Sequence, residues 1–159
     1  MHKLAWVAAF MVMAGSAQAQ VGWAVGQGDA IPRGALAGGQ EAAGQVLYPC
    51  VAMFNGGMHP GKVRPGFNGC NVPWGGGEHR VGSYRVPTGG VWRGASGGQI
   101  PVNAVPAGFE ANGTPLYVCR GAFQGGMHPG KIRAGFGGCN IGYGGAEHVV
   151  RSYDVLTEW

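Results

Sequence analysis

The chain has 159 residues, 34 of them glycine, with 11 Lys and Arg against seven Asp and Glu for a formal net charge of +4. Glycine at this density without a Gly-X-Y period excludes a collagen-like chain, and plentiful Trp, Tyr, Phe, Val and Ile exclude a disordered one. The basic residues are scattered, without the clustered footprint of a nucleic-acid binder, and glycine and proline leave almost no room for long helices.

Residues 1–19 read as an export leader. His2 and Lys3 form a short basic start, Leu4 to Ala14 an apolar run, and Ala17-Gln18-Ala19 a small-x-small cleavage pattern. The apolar run is too short to span a bilayer. The expected location is therefore secreted or periplasmic, after cleavage near Ala19, without membrane insertion.

From Trp23 onward the chain states one pattern twice, at an offset of 69 residues and without an insertion. Residues 23–91 form the first unit and 92–159 the second. A gapless period means one structural unit used twice, so any site is expected in two copies. Each unit opens on Trp (Trp23, Trp92) and reaches Ile31-Pro32 or Ile100-Pro101, where proline is expected at a strand edge or start. A short strand is predicted around Ala35-Leu36 or Ala104-Val105, then a glutamate, Glu41 or Glu110, and a turn at Gly44 or Asn112-Gly113. Leu47-Tyr48-Pro49-Cys50 and Leu116-Tyr117-Val118-Cys119 read as strands, with Pro49 pointing to an edge position in the first copy.

His59-Pro60-Gly61-Lys62 recurs as His128-Pro129-Gly130-Lys131. Pro then Gly matches the central positions of a type II turn, which would make each lysine the first residue of the following strand. A Gly-Cys-Asn segment, a Gly-Gly corner and Glu78-His79 or Glu147-His148 come next. Each unit closes on a tyrosine strand at Tyr84 or Tyr153. Ala146 to Trp159, free of Gly and Pro, can also be drawn as a helix, but Gly82 and Pro87 break its counterpart, so a strand is predicted in both copies. The fold class is all-β: two tandem repeats of short antiparallel strands with Gly-rich turns in a pseudo-twofold arrangement. Trp23, Trp92, Leu47, Leu116, Val118, Ile132 and Val155 are expected in the core.

Cys50, Cys70, Cys119 and Cys139 occupy the same two positions of each repeat. An even count behind an export leader favours disulfides. Pairing within repeats and pairing between equivalent positions satisfy the symmetry equally well.

Trp92, Ile100-Pro101-Val102-Asn103-Ala104-Val105, Ala107-Gly108-Phe109-Glu110, Leu116-Tyr117-Val118-Cys119-Arg120, His128-Pro129-Gly130-Lys131, Glu147-His148 and Tyr153-Asp154-Val155-Leu156, in that order, resemble the DM9 repeat. The first unit is a looser copy, and the resemblance covers essentially the whole chain after the leader. It implies a small all-β tandem protein of a family with lectins and immune-response proteins among its members. It also implies mannose binding through an acidic residue after the Ala-Gly word and the lysine of Pro-Gly-Lys. Those roles fall on Glu41 with Lys62 and on Glu110 with Lys131, each pair 21 residues apart. The lectins carry the shorter aspartate where this chain has glutamate.

A carboxylate accepts from two neighbouring hydroxyls of a hexose while an ammonium donates to their lone pairs, and charge-assisted hydrogen bonds are the stronger kind. Phe67, Trp74, Phe136 and Tyr143 are candidates to cover the sugar's C–H face, and His59 and His128 candidates for secondary contacts. The resulting expectation is a noncatalytic carbohydrate-binding protein of mannose type, one site per repeat, with four sites if it forms a homodimer. The competing readings are a surface Glu–Lys salt bridge without a ligand, and a structural or protein-interaction module of the cell envelope. A metal at the histidines lacks local ligand spacing, so no metal or cofactor is expected. An enzyme is not expected either: there is no Gly-x-Ser-x-Gly word, and nothing brings a carboxylate pair together. Arg120 and Arg133 are read as solvated or paired rather than as anion contacts.

Overall fold

The computed structural model describes residues 21–159, so the predicted leader lies outside the described residues. Every regular element in them is a strand. The first repeat carries β1 (Trp23–Gln27), β2 (Gly39–Gln40), β3 (Val46–Phe54), β4 (Gly57–Val63), β5 (Cys70–Trp74), β6 (Gly77–Val81) and β7 (Ser83–Pro87). The second carries their equivalents, β8 (Val91–Ser96), β9 (Pro106–Phe109), β10 (Pro115–Phe123), β11 (Gly126–Ile132), β12 (Cys139–Tyr143), β13 (Ala146–Val150) and β14 (Ser152–Thr157). The C-terminal stretch is thus two strands, as its broken counterpart implied.

All fourteen strands join one antiparallel sheet in the order β1-β7-β3-β2-β11-β12-β13-β6-β5-β4-β9-β10-β14-β8, with β3–β4 and β10–β11 closing it into a barrel-like ring. Replace each strand by its equivalent and the order reads the same from the other end, which is the pseudo-twofold axis expressed as topology. The repeats exchange strands across it. Gln40 of β2 pairs with Met127 of β11, Phe109 of β9 with Met58 of β4, and Gly77 of β6 with Ala146 of β13.

Burial follows period-two alternation. Cys50, Ala52, Val63, Cys70, Val72, Tyr84 and Val86 form the core of the first repeat, and Cys119, Ile132, Cys139, Ile141, Tyr153 and Val155, with Ala104, that of the second. A third cluster, Val51, Val105, Ala107, Val118 and Leu156, draws on both and is flanked by Trp23 and Trp92. Of the residues expected in the core, Leu47, Leu116, Val118, Ile132 and Val155 are fully buried, whereas Trp23 and Trp92, in the edge strands β1 and β8, are only partly buried. The disulfides are Cys50–Cys70 and Cys119–Cys139, settling the pairing within each repeat.

The structure corrects four local expectations. His59-Pro60-Gly61-Lys62 is not a turn but the middle of β4, and its repeat the middle of β11. The hairpin turns come before these words, at Asn55-Gly56 (φ 46° and 78°) and Gln124-Gly125 (φ 48° and 77°), where two consecutive positive φ values match the twist of the flanking strands. Pro60 and Pro49 lie at points where one edge of a strand changes partner: β4 passes from Phe109 to Asn71, and β3 from Leu47 paired with Gly39 to Val51 paired with Arg85. A residue without an N–H is tolerated there, so β3 is an interior strand and the sheet edges are β1 and β8. Ile31-Pro32 sits in a turn region, and no strand forms at Ala35-Leu36; at Ala104 there is only an isolated bridge to Thr157.

Gly61 has no need of positive φ; its role is steric. It is the cross-strand partner of Cys50, so β4 passes the disulfide without a side chain, and a Cβ there would lie 2.0 Å from the Asn71 carbonyl oxygen. Gly130 stands in the same relation to Asn140. We expect Gly61→Ala to destabilise the protein by about 3 kcal/mol, because the obstacle is backbone and cannot rotate away. Gly44→Ala, at a positive-φ turn with open space around it, should lose only about 1 kcal/mol of backbone strain. Denaturant melts of the two variants check the ranking.

Candidate functional site

Within β4 and β11, alternation sends Val63 and Ile132 into the repeat cores and Lys62 and Lys131 to the opposite face. That face is covered by the other repeat, leaving the lysines only 3% and 2% exposed. Each ammonium meets a histidine across the pseudo-twofold axis. Lys62 Nζ lies 3.0 Å from His128 Nδ1, and Lys131 Nζ 3.2 Å from His59 Nδ1. An ammonium only donates, so both Nδ1 atoms accept and both imidazoles are neutral with their proton on Nε2. His128 Nε2 donates to the Phe123 carbonyl at 3.2 Å.

The electrostatics agree with that tautomer. Burial first, and the facing Lys131 second, lower the His59 pKa from 6.5 to about 4, and burial followed by Lys62 lowers that of His128. Burial likewise lowers both lysine pKa values. It is opposed at Lys62 by Glu78 and then Glu41, and at Lys131 by Glu147 and then Glu110.

The glutamates have direct partners of their own. Arg64 Nε donates to Glu41 Oε1 at 3.1 Å while its guanidinium stacks 4.3 Å from the Phe67 centroid; Arg133 and Glu110 are 3.0 Å apart, with Phe136 at 4.1 Å. Glu78 and Glu147 cross to the opposite repeat, accepting from Gly145 N at 2.9 Å and Gly76 N at 3.0 Å. Glu147 Oε1 also stands 3.9 Å from Lys131 Nζ. Asn71 and Asn140 pair directly across from Lys62 and Lys131 and so share their face.

Around each buried lysine there are therefore an Arg–Glu pair with partly exposed side chains, a second carboxylate, and a histidine from the other repeat. Glu41 with Lys62, and Glu110 with Lys131, are brought into one electrostatic neighbourhood, but no Glu41–Lys62 salt bridge forms, because Arg64 holds the carboxylate. The sequence reading of Arg133 as solvated or paired holds, since it pairs with Glu110, but sequence reasoning did not bring Arg64, Glu78, Asn71 or their equivalents to the lysine sites. Arg64 was legible from alternation, since Lys62 and Arg64 are two residues apart and face the same way. Of the aromatic candidates, Tyr143 approaches Lys62 (5.7 Å to the ring centroid) and His128 (5.2 Å between ring centroids). His79 and His148 instead bond the Trp74 and Tyr143 carbonyls of their own hairpins and stack on Phe54 and Phe123. Among the described residues, no group of three His, Cys, Asp or Glu is placed to hold a metal.

A family model described as DM9 repeat matches residues 3–81 and again residues 52–150. Comparison with curated proteins gives no match.

Because the folded His59 pKa lies below the unfolded value of 6.5, the unfolded chain binds more protons between pH 6.5 and about 4. The stability of the neutral pairing is present above pH 6.5 and is lost as pH falls through about 4, with up to about 3 kcal/mol at stake for this one group. Denaturant melts at pH 7, 5.5 and 4.5 should show this decline. In a His59→Gln/His128→Gln variant, whose amide oxygens still accept from the lysines without titrating, the decline should flatten.

Proposed function

The chain belongs to the DM9 repeat family, whose repeats are lectin-like carbohydrate-binding modules, and from this premise we propose that it is an exported, noncatalytic lectin for mannose-type glycans. In this reading residues 1–19 are a leader, 23–91 and 92–159 are the two repeats, and each repeat supplies one site's principal charged residues. The observation that supports it best is the set of charges around each lysine. Each ammonium donates to a histidine and feels two carboxylates, Glu78 and Glu41 at Lys62, Glu147 and Glu110 at Lys131, which favour its charge. An ammonium with carboxylates in its neighbourhood combines the donor and acceptors that vicinal hydroxyls demand, and each charge-assisted bond contributes about 1.5–3 kcal/mol. The Arg64–Phe67 and Arg133–Phe136 stacks stiffen the rim, which limits the ordering cost of binding.

Two sites on one chain, or four on a homodimer, turn weak single-site affinity into avidity for branched glycans. The two disulfides fit an oxidising compartment.

Calorimetric titration with mannose and with a mannose-rich glycan should give saturable heat for the native protein. Lys62→Met/Lys131→Met, which keeps the buried volume without the charge, should weaken binding more than tenfold. No heat across a broad glycan panel, from protein with a normal melting transition, would sink the lectin reading and leave the lysine–histidine pairs as braces of an envelope scaffold.

A further inference from the structure

Away from the lysines, one strip of sheet differs between the repeats in both size and charge. In the first repeat Val25, Arg85 and Val51 stand in one cross-strand row on β1, β7 and β3, with Met53 and Met58 paired in the next row. In the second repeat the equivalent row is Gly94, Asp154 and Arg120 on β8, β14 and β10, followed by Ala122 paired with Met127. Valine therefore answers to glycine, methionine to alanine, and arginine to aspartate. Val25 is 78% exposed and Met53 52% exposed, and Arg85 between them is exposed as well. One face carries large apolar side chains and a cation, and the other carries small residues and an anion.

The two faces also differ in relief. The small side chains of the second leave a depression of about 360 Å³ lined by Gly94, Arg120, Ala122, Met127, Ser152 and Asp154, whereas its equivalent among Val25, Met53, Met58 and Arg85 holds about 210 Å³. In the larger depression Asp154 Oδ2 accepts from Arg120 Nε at 2.9 Å, and the Arg120 guanidinium is itself held 4.4 Å from the Trp92 ring centroid. The other oxygen, Oδ1, lies over Gly94, 3.7 Å from the point a Cβ would occupy. On the first face Arg85 donates to Met58 Sδ at 3.1 Å, and among the described residues no carboxylate comes within 4.0 Å of it. Neighbouring apolar side chains this exposed, around a cation without a counter-charge, mark an interaction surface.

We propose that the partner at this surface is a second copy of the chain, seated first repeat to second repeat. Val25 and Met53 of one copy fill the depression over Gly94 and Ala122 of the next, and Arg85 reaches Asp154 Oδ1. Like faces do not match: two first-repeat faces would set Arg85 against Arg85, and two second-repeat faces would close over hollows with no side chain to fill them. Unlike faces are complementary in both relief and charge. The contact is therefore heterologous, and copies joined by it close into a ring or extend as a chain. It uses none of the groups around the lysines, so it stands whether or not they bind carbohydrate.

Sedimentation equilibrium of the native protein and two variants tests this. Gly94→Val/Ala122→Met fills the depression with the side chains that the first repeat carries at the same places, and Val25→Ser/Arg85→Asp removes an apolar knob and reverses the charge. All four positions are exposed, and a melting curve shows that each variant is folded; Ala122→Met and Arg85→Asp alone replace a double variant that is not. The native protein should self-associate reversibly below about 1 mM, and each variant by itself at least tenfold more weakly. An equal mixture of the two variants, which brings one intact first-repeat face to one open depression, should form a mixed complex that neither forms alone. A native protein that stays monomeric up to about 1 mM would overturn the proposal and leave the surface to a different partner. Self-association of either folded variant at native strength, the mark of like-face pairing, would overturn it too, as would a mixture that associates no better than its components.

Discussion

The structure depends on keeping two lysine ammonium groups almost out of water. An isolated buried charge is destabilising by several kcal/mol, and Lys62 and Lys131 have their carboxylates near but not in ideal contact. What makes burial tolerable is the neutral histidine opposite each of them, supplied by the other repeat. The arrangement is reciprocal, so neither half can satisfy its own lysine. The ammonium that would hold a ligand is thus also the group that binds the two repeats together, and cohesion and recognition share the same atoms.

The scaffold around these pairs is stiff for identifiable reasons. Each disulfide spans β4 or β11 from the strand on one side to the strand on the other, and the glycine beneath it lets the backbones approach to a distance that no side chain allows. The residue after the second cysteine of each bridge is the asparagine that faces the lysine. A covalent anchor one residue away fixes where that amide sits. The hairpin turns add positive-φ pairs at Gly75-Gly76 and Gly144-Gly145, whose amides hold the crossing glutamates.

Much of this was legible in the sequence. Period, fold class, core residues and the presence of disulfides follow from patterns that local chemistry imposes. His59-Pro60-Gly61-Lys62 did not, because Pro-Gly has the same propensity whether its proline starts a turn or sits where a strand changes partner, and only the neighbouring strands decide. The inter-repeat contacts failed for another reason. Lys62 and His128 are 66 residues apart and Lys131 and His59 are 72 apart, both close to the period itself. A reading that treats residues one period apart as equivalent is poorly placed to see them as neighbours. The differences of Pro49 from Val118 and of Pro73 from Gly142 were visible as letters, but their meaning lay in where a strand changes partner and in Glu78 arriving from the other repeat against Gly142.

The palindromic strand order is that of a symmetric dimer whose two subunits have been joined end to end. Each half lends strands to the other's sheet and a histidine to the other's lysine, so a lone half would present raw edges and an unmatched buried charge. This geometry also gives a reason for the unbroken spacing: an insertion in one copy would shift contacts in both. Fusion, in turn, frees the copies to drift apart in sequence without losing their partner, which a dimer of identical chains can never do.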